Sequence, residues 1–572
     1  MIESHRYAAA FCACLSILAG FQGSAFAQQE RPIFPPSAKP DVRLDQLRPP
    51  EEQAPGQAPA VPEGALTQAP EGAEAIRFVL DGLLVEGVTA YAPEKIEPFA
   101  TEVVGREISL AEVYAIAASV QQMYREDGYF LSRVIVPPQV IDDGRVQITV
   151  LEGYVGDVVY QGDVGPVREL IESYVDQVLL ERPLRIKTLE RYLLLAKDIP
   201  GVDVTGTLRP STDQLGAAQL VVTAQRKAFD AMALVDNIGS TFTGQWEVVG
   251  SVSANAFTRY GDSATVTALV SDPANGFGGN SENQRVVQFG GSFRPDKRGT
   301  YVNLLASYGD SNPGGLISRF EFQSKTLLLS ASGGYPLIRS RDRNLAVELG
   351  FDYTDSSTDV FDDIKFSRDH LRVLHVDALM DFRDKWRGSN LLGLHLRQGL
   401  PILGASKSGD EDLSRPNGSG VFTSLRMGAS RYQPLFGRFS VVGRVEAQYA
   451  FETLLSDEEF DVGGFQFGRG YDPKELSGDH GVGVTGEVHY TRGVGKKFLD
   501  RYQLFGFYDF GSVWERSTDL SASLASAGGG IRGWLGKDFS IALQVAKPLT
   551  RDSQRADDTK DAQVLFRALA QF

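Results

Sequence analysis

From about Ala228 to Phe572 the chain alternates apolar and polar residues in runs of roughly ten, the period and length of a strand that crosses a bilayer. Leu345, Val347, Leu349, Phe351 and Tyr353 interleave with Ala346, Glu348, Gly350 and Asp352. Ala264, Val266, Ala268 and Val270 interleave with Ser263, Thr265 and Thr267, and Val441, Gly443, Val445, Ala447 and Tyr449 with Ser440, Arg444, Glu446 and Gln448. The gaps between runs alternate in length. Short ones include 259–262, 294–299, 339–344, 383–388 and 536–538; long ones include 271–283, 309–324, 354–370, 399–420, 451–481 and 548–561. The short gaps are rich in Lys and Arg, and several long ones carry acidic clusters, such as Asp359, Asp362 and Asp363, or Asp410, Glu411 and Asp412. Short turns at one end and long loops at the other are the mark of a transmembrane antiparallel β-barrel. A large soluble all-β protein has no reason to sort its loops this way. We count about sixteen runs, enough to leave an aqueous lumen.

Upstream, the period changes. Residues 75–227 predict two βααββ units in succession. The first has a strand Ile76–Val85, a short helix Pro93–Val103, a helix capped by Ser109 and ended by Gly128, and strands Leu131–Val136 and Arg145–Leu151. In its longer helix Leu110, Val113, Ile116, Val120 and Met123 recur at helical spacing, a core stripe. The second has a strand Val155–Gln161, helices Val167–Leu180 and Ile186–Ala196, and strands Val202–Leu208 and Ala217–Ala224. Small sheets of this kind keep open edges that can take up an extended peptide. Residues 28–74 are rich in Pro, Ala, Gln and Glu and predict an extended tether, with at most a short helix over Asp41–Arg48.

Composition narrows the class. The chain has 572 residues, more than one domain, and is 42% hydrophobic, low for a helical membrane protein and normal for a barrel with a wet interior. After the N-terminus no apolar run reaches the ~18 residues of a spanning helix. The net charge of -16 gives nucleic-acid binding no electrostatic support. Residues 1–27 read as a signal peptide: Arg6, the apolar stretch 7–21, and Ala25-Phe26-Ala27 before Gln28. Both cysteines, Cys12 and Cys14, lie inside it, so the processed chain is expected to lack thiol chemistry and disulfides.

Several motifs fall in the order of a known family. The first unit carries Met123-Tyr124-Arg125-Glu126-Asp127-Gly128-Tyr129, Val134-Ile135-Val136-Pro137-Pro138-Gln139 and Leu151-Glu152-Gly153. The second carries Leu189-Glu190-Arg191-Tyr192 and Asp198-Ile199-Pro200-Gly201-Val202. The barrel opens on Asp236-Asn237-Ile238-Gly239-Ser240, and Tyr335-Pro336-Leu337 follows. Together these resemble the two-partner secretion transporters (TpsB, the haemolysin secretion/activation ShlB/FhaC/HecB type). The resemblance implies a signal peptide (1–27), a Pro-rich linker with a possible short plug helix (28–74), POTRA domains at 75–153 and 154–227, and an outer-membrane barrel at 228–572. The longest predicted outside loop holds Gly468-Arg469-Gly470-Tyr471, similar to the family's Val-Arg-Gly-Tyr tip, with Gly468 where the family has an aliphatic residue. The resemblance implies that this loop folds into the lumen and that Arg469 pairs with Asp509 of Phe507-Tyr508-Asp509-Phe510-Gly511. It makes Tyr124, Gly128, Tyr129, Glu190 and Arg191 POTRA motif residues and Phe572, the final aromatic, a barrel-insertion signal. It implies as partners a secreted TpsA-type exoprotein, outer-membrane lipid and the barrel-assembly machinery, with POTRA domains in the periplasm and no cofactor.

Enzyme signals are weak. Gly481-Val482-Gly483-Val484-Thr485-Gly486 matches a dinucleotide-binding pattern but lies in a predicted barrel strand, not a strand–turn–helix unit. The six histidines form no zincin motif, and no carboxylate pair stands out, so neither a metal nor catalysis is expected. Two other barrels compete: an assembly factor of the same superfamily, which usually has more POTRA units, and a diffusion porin, which has none.

Overall fold

The computed structural model describes residues 34–44 and 67–572, apart from 142, 212–213, 274–282, 362–363, 497, 519 and 557. The predicted signal peptide lies outside the described residues, as do 28–33 and 45–66 of the predicted linker.

In the first α+β unit the chain changes partner at Leu80. Arg77–Val79 pairs with Glu107–Ser109, and Gly82–Glu86 runs parallel to Arg145–Leu151, whose other edge takes Arg133–Ile135. The single strand expected over Ile76–Val85 is therefore two. Leu80 turns into the core, its N–H bonded to Arg106 O, while the Asp81 N–H goes to Gly144 O. Helices α1 (Pro93–Thr101) and α2 (Leu110–Glu126) cover the sheet. A capping box starts α2: the Ser109 hydroxyl accepts from Glu112 N–H, and the Glu112 carboxylate accepts from Ser109 N–H. Val113, Ala117, Val120 and Tyr124 then meet Val146, Ile148 and Val150 in one core.

The second unit repeats the order. Ala217–Arg226 is central, flanked by Tyr154–Gln161 and Val202–Pro210. Helices α3 (Arg168–Leu179) and α4 (Ile186–Lys197) pack on it through Ile171, Tyr174, Val175, Val178, Leu189 and Leu193.

Sixteen antiparallel strands follow and close on themselves, the first, Phe229–Asp236, pairing with the last, Gln563–Gln571. The apolar residues face out: Val252, Val266, Phe289, Leu349, Leu379 and Leu394 are all exposed. The polar set faces in, where Ser251 meets Thr267, Ser253 meets Thr265 and Ser263 meets Ser292 across strands. An exposed apolar exterior around a polar lumen is stable only in lipid. One expected loop is not a loop. Residues 354–370 continue two long strands, Arg343–Val360 and Ile364–Arg383. They are polar because they stand at the long-loop end, where the buried Arg372 bonds Asp355, Thr354 O and Leu403 O.

The second unit is docked at the short-turn end. Asp198, just past α4, holds Arg339 bidentately at 2.6 and 2.7 Å. Arg294 reaches Asp198 O and Gly261 O, and Arg191 reaches Arg298 O and Tyr335.

Candidate functional site

The chain between the eleventh strand, Phe439–Ala450, and the twelfth, His480–Lys496, folds into the lumen instead of standing outside. Two short strands, Phe460–Val462 and Leu476–Gly478, pair as a ribbon that carries the tip 463–475. The lumen wall is shaped for it. A Cβ on Gly481 would strike the Phe460 ring, one on Gly483 the Phe467 ring, and one on Gly511 the Val462 side chain. Two of these glycines belong to the dinucleotide-like pattern, and making room for a loop is their work here. Phe460, Val462, Phe467, Tyr471 and Leu476 then form an apolar cluster with Val513, Ala522 and Leu524 of the wall.

At the tip, Arg469 is 2% exposed. Its Nε and Nη2 donate to the two oxygens of Asp509 at 2.9 and 2.7 Å, and its own backbone N–H donates to the same carboxylate at 3.0 Å. Nη1 reaches Glu487 at 2.5 Å and Nη2 reaches Thr485 at 3.0 Å, while the guanidinium lies 3.5 Å from the centroid of the Phe507 ring. Asp509 also accepts from the hydroxyls of Thr485 and Ser526. Three adjacent strands therefore build one socket: Thr485 and Glu487 from the twelfth, Phe507 and Asp509 from the thirteenth (Leu499–Trp514), and Ser526 from the fourteenth (Ser521–Leu535). Every charge in it is hydrogen-bonded, the condition under which a buried ion pair is sustained.

The neighbours of Arg469 fit closely. Gly468 has φ +134°, which L side chains rarely adopt, and a Cβ there would lie 2.6 Å from Leu524. An aliphatic residue does not fit this loop as it stands. A Cβ on Gly470 would lie 2.8 Å from Pro548 N. Tyr471 is fully buried, its hydroxyl 3.1 Å from Ala525 O and 3.2 Å from Thr550.

A second occupant stands where composition predicts a tether and the resemblance a possible short plug helix. Residues 34–44, expected as an unpacked tether, lie in the lumen, with a 3-10 turn at Pro36–Ala38. Lys39 meets Asp457 at 2.8 Å and Ser456 at 2.6 Å, both on the inward loop. Arg43 meets Asp352, which also takes Arg397, and Arg397 holds Glu458 of the loop bidentately. Leu44 packs against Leu234, Val249, Leu269 and Val286. Proline favours an extended chain, and the polar lumen supplies the partners that the composition could not reveal.

The remaining expected residues are spread over the molecule. Tyr124 is buried in the first unit and donates to Glu152 at 2.7 Å; Gly128 ends α2 at φ +90°. The Tyr129 hydroxyl accepts from Arg185 of the second unit at 2.7 Å, so it joins the two units. Arg191 faces the barrel turns, while Glu190, half-buried on α4, makes no side-chain hydrogen bond among the described residues. Phe572 exchanges backbone bonds with Ala231 and exposes its ring.

Comparison with known proteins now decides the family. The model described as haemolysin secretion/activation protein ShlB/FhaC/HecB matches residues 216–533, more than half of the chain. The chain belongs to this family. A ShlB-type POTRA domain model matches 78–153. Among curated relatives of this ShlB/FhaC/HecB member, the heme/hemopexin transporter protein HuxB of Haemophilus influenzae strain 86-028NP is 25% identical over 79% of this chain and 80% of its own. The outer membrane transporter CdiB of Dickeya dadantii is 22% identical over 77% and 78%. Of solved structures, CdiB from Escherichia coli has the same fold, with a TM-score of 0.73 at 20% identity, covering 89% of this chain and 94% of that one. The family member described here is thus an outer-membrane β-barrel with its POTRA region in the periplasm.

Proposed function

We propose that this protein is the outer-membrane pore of a two-partner secretion system, passing one large exoprotein, captured unfolded in the periplasm, to the cell surface. The observation that carries the reading is the inward loop clasped in the lumen by Arg469 and Asp509. A diffusion pore has no use for an occupant fixed in this way, whereas a gated conduit for a polypeptide needs an obstruction that can leave. The names of the relatives support a transporter and differ in cargo, so the cargo is taken as a large exoprotein of adhesin or haemolysin type. The POTRA units receive its amino-terminal region by backbone pairing at an open sheet edge. No step requires a nucleotide; folding of the cargo outside biases its movement. Barrel-assembly machinery reading Phe572 inserts the protein, and lipid surrounds it.

The test compares culture medium and cell envelope by mass spectrometry, with and without the gene product. Loss of one large exoprotein from the medium with envelope barrels unchanged is expected. Broad depletion of outer-membrane barrels would overturn the reading in favour of an assembly factor.

A further inference from the structure

Docking of the second POTRA unit leaves part of the periplasmic mouth uncovered. Among the described residues its hydrogen bonds and ion pairs to the barrel go to the turns after the second, fourth and sixth strands and to the strand ends beside them. The mouth is open beside the turns after the twelfth and fourteenth strands, where an open cavity of about 580 Å³ is lined by Lys496, Asp500, Arg501, Trp534 and Lys537.

Arg501 and Trp534 belong to the lumen wall. They stand opposite each other, one step below the pair Gln503 and Arg532, which bond to each other on the lumen face. Leu504 and Ile531, on the other face of the same two strands, are exposed to lipid. The Arg501 guanidinium lies 4.4 Å from the centroid of the Trp534 ring. A guanidinium laid on a ring keeps its N–H donors in its own plane, where a carboxylate can take two of them. The same wall holds this arrangement twice more, complete with its carboxylate. Arg532 lies 3.8 Å from the Phe505 ring and donates to Glu487 at 3.1 Å; Arg469 lies 3.5 Å from the Phe507 ring and donates to Asp509. Arg501, the lowest of the three, has no carboxylate partner among the described residues, and neither has Lys496 or Lys537, whereas elsewhere on the barrel Arg339, Arg431 and Arg567 are all paired. Asp500, the single carboxylate of the lining, pairs with none of them among the described residues.

We propose that this site binds carboxylate side chains of the cargo as it enters, so that the segment handed to the lumen first is acidic. The inference rests on the secretion reading above and adds the chemistry of the entering segment. The chain carries a net charge of -16 and as a whole repels an acidic polypeptide, so a cationic site on the entry path is selective by its position. The test uses the full-length protein in non-ionic detergent at low salt, and reads the fluorescence anisotropy of a short labelled peptide of alternating glutamate and serine. That alternation puts the carboxylates on one face of an extended chain. The wild type should bind this peptide and not its glutamine counterpart. Arg501→Gln with Lys537→Gln should bind it at least about tenfold more weakly. Arg259→Gln, on the covered side, should bind as the wild type does. Heat-modifiable electrophoresis checks that each barrel is folded, and single Lys537→Gln serves if the double variant is not. Equal binding by the wild type and the folded variants, no binding by the wild type, or equal binding of the two peptides would overturn the proposal. Displacement of the peptide by an equal concentration of inorganic phosphate would overturn the polypeptide as ligand and leave a small-anion site. Cargo in the medium is read separately, so failure of peptide binding leaves the secretion reading standing, and loss of that reading leaves the binding result as measured.

Discussion

Arg469 meets its socket with a planar fork, a backbone N–H and a stacked face, and no other cation supplies all three. Lysine at this position would keep the charge and lose the fork and the stacking. We expect Arg469→Lys to lower cargo secretion strongly, and Arg469→Ala and Asp509→Ala to abolish it, with the barrel still inserted. Cargo in the medium, measured against folded barrel in the envelope, checks this. Removing one member of a buried pair leaves the other uncompensated, at a cost of about 3–5 kcal/mol. Gly468 gives a second expectation at this scale. Gly468→Val meets both the backbone conformation and Leu524, so the loop should undock and become a site of proteolytic cleavage, at a cost of about 1–3 kcal/mol from the backbone alone. Secretion indistinguishable from wild type would refute the tight fit described here.

At the scale of elements, the first POTRA unit is tied together by Glu152. Burial pushes this carboxyl up, but the Thr89 hydroxyl and N–H, the Ala90 N–H and the Tyr124 hydroxyl outweigh burial and hold it below its ordinary value of 4.5. A carboxylate lowered on folding stabilises above its unfolded value and loses that contribution as pH falls through its folded one. Hydrogen exchange of α2, corrected for intrinsic rates, should therefore quicken below about pH 4.5, and Glu152→Gln should remove part of that pH dependence. Asp198→Ala should loosen the second unit from the barrel, broadening the distance between spin labels at Leu215 and Phe498, both exposed. Elements of this kind were well marked in the sequence where their signals are local: Arg145–Leu151 alternates cleanly, and Ser109 announces α2 as its N-cap. Signals that depend on distant pairing were not. Glu487 and Ser526 join the Arg469 socket only through strand register, Thr485 opposite Asp509 and Asp509 opposite Ser526, which no single segment displays. Residues 354–370 read as loop because a polar strand outside the lipid lacks the apolar face that marks its neighbours.

For the molecule as a whole, the lumen holds two interlocked occupants. Lys39 and Arg43 bind the inward loop directly and through Asp352 and Arg397. Lys39→Ala with Arg43→Ala should free residues 34–44 and raise ion conductance in planar bilayers, while leaving the Arg469 clasp intact. Unchanged conductance would mean that these pairs do not hold the segment. That arrangement was invisible to composition, since a Pro-rich stretch reports its own stiffness and not the cavity it enters. Gly481, Gly483 and Gly511 carry a last consequence. Once the loop withdraws, these three positions leave a shallow bare strip where Phe460, Val462 and Phe467 sat, and beside it Asp509 loses the cation that faced it. Opening the conduit therefore uncovers a smooth surface and a negative charge together, so a passing polypeptide would slide along the one and linger at the other wherever it carries lysine or arginine.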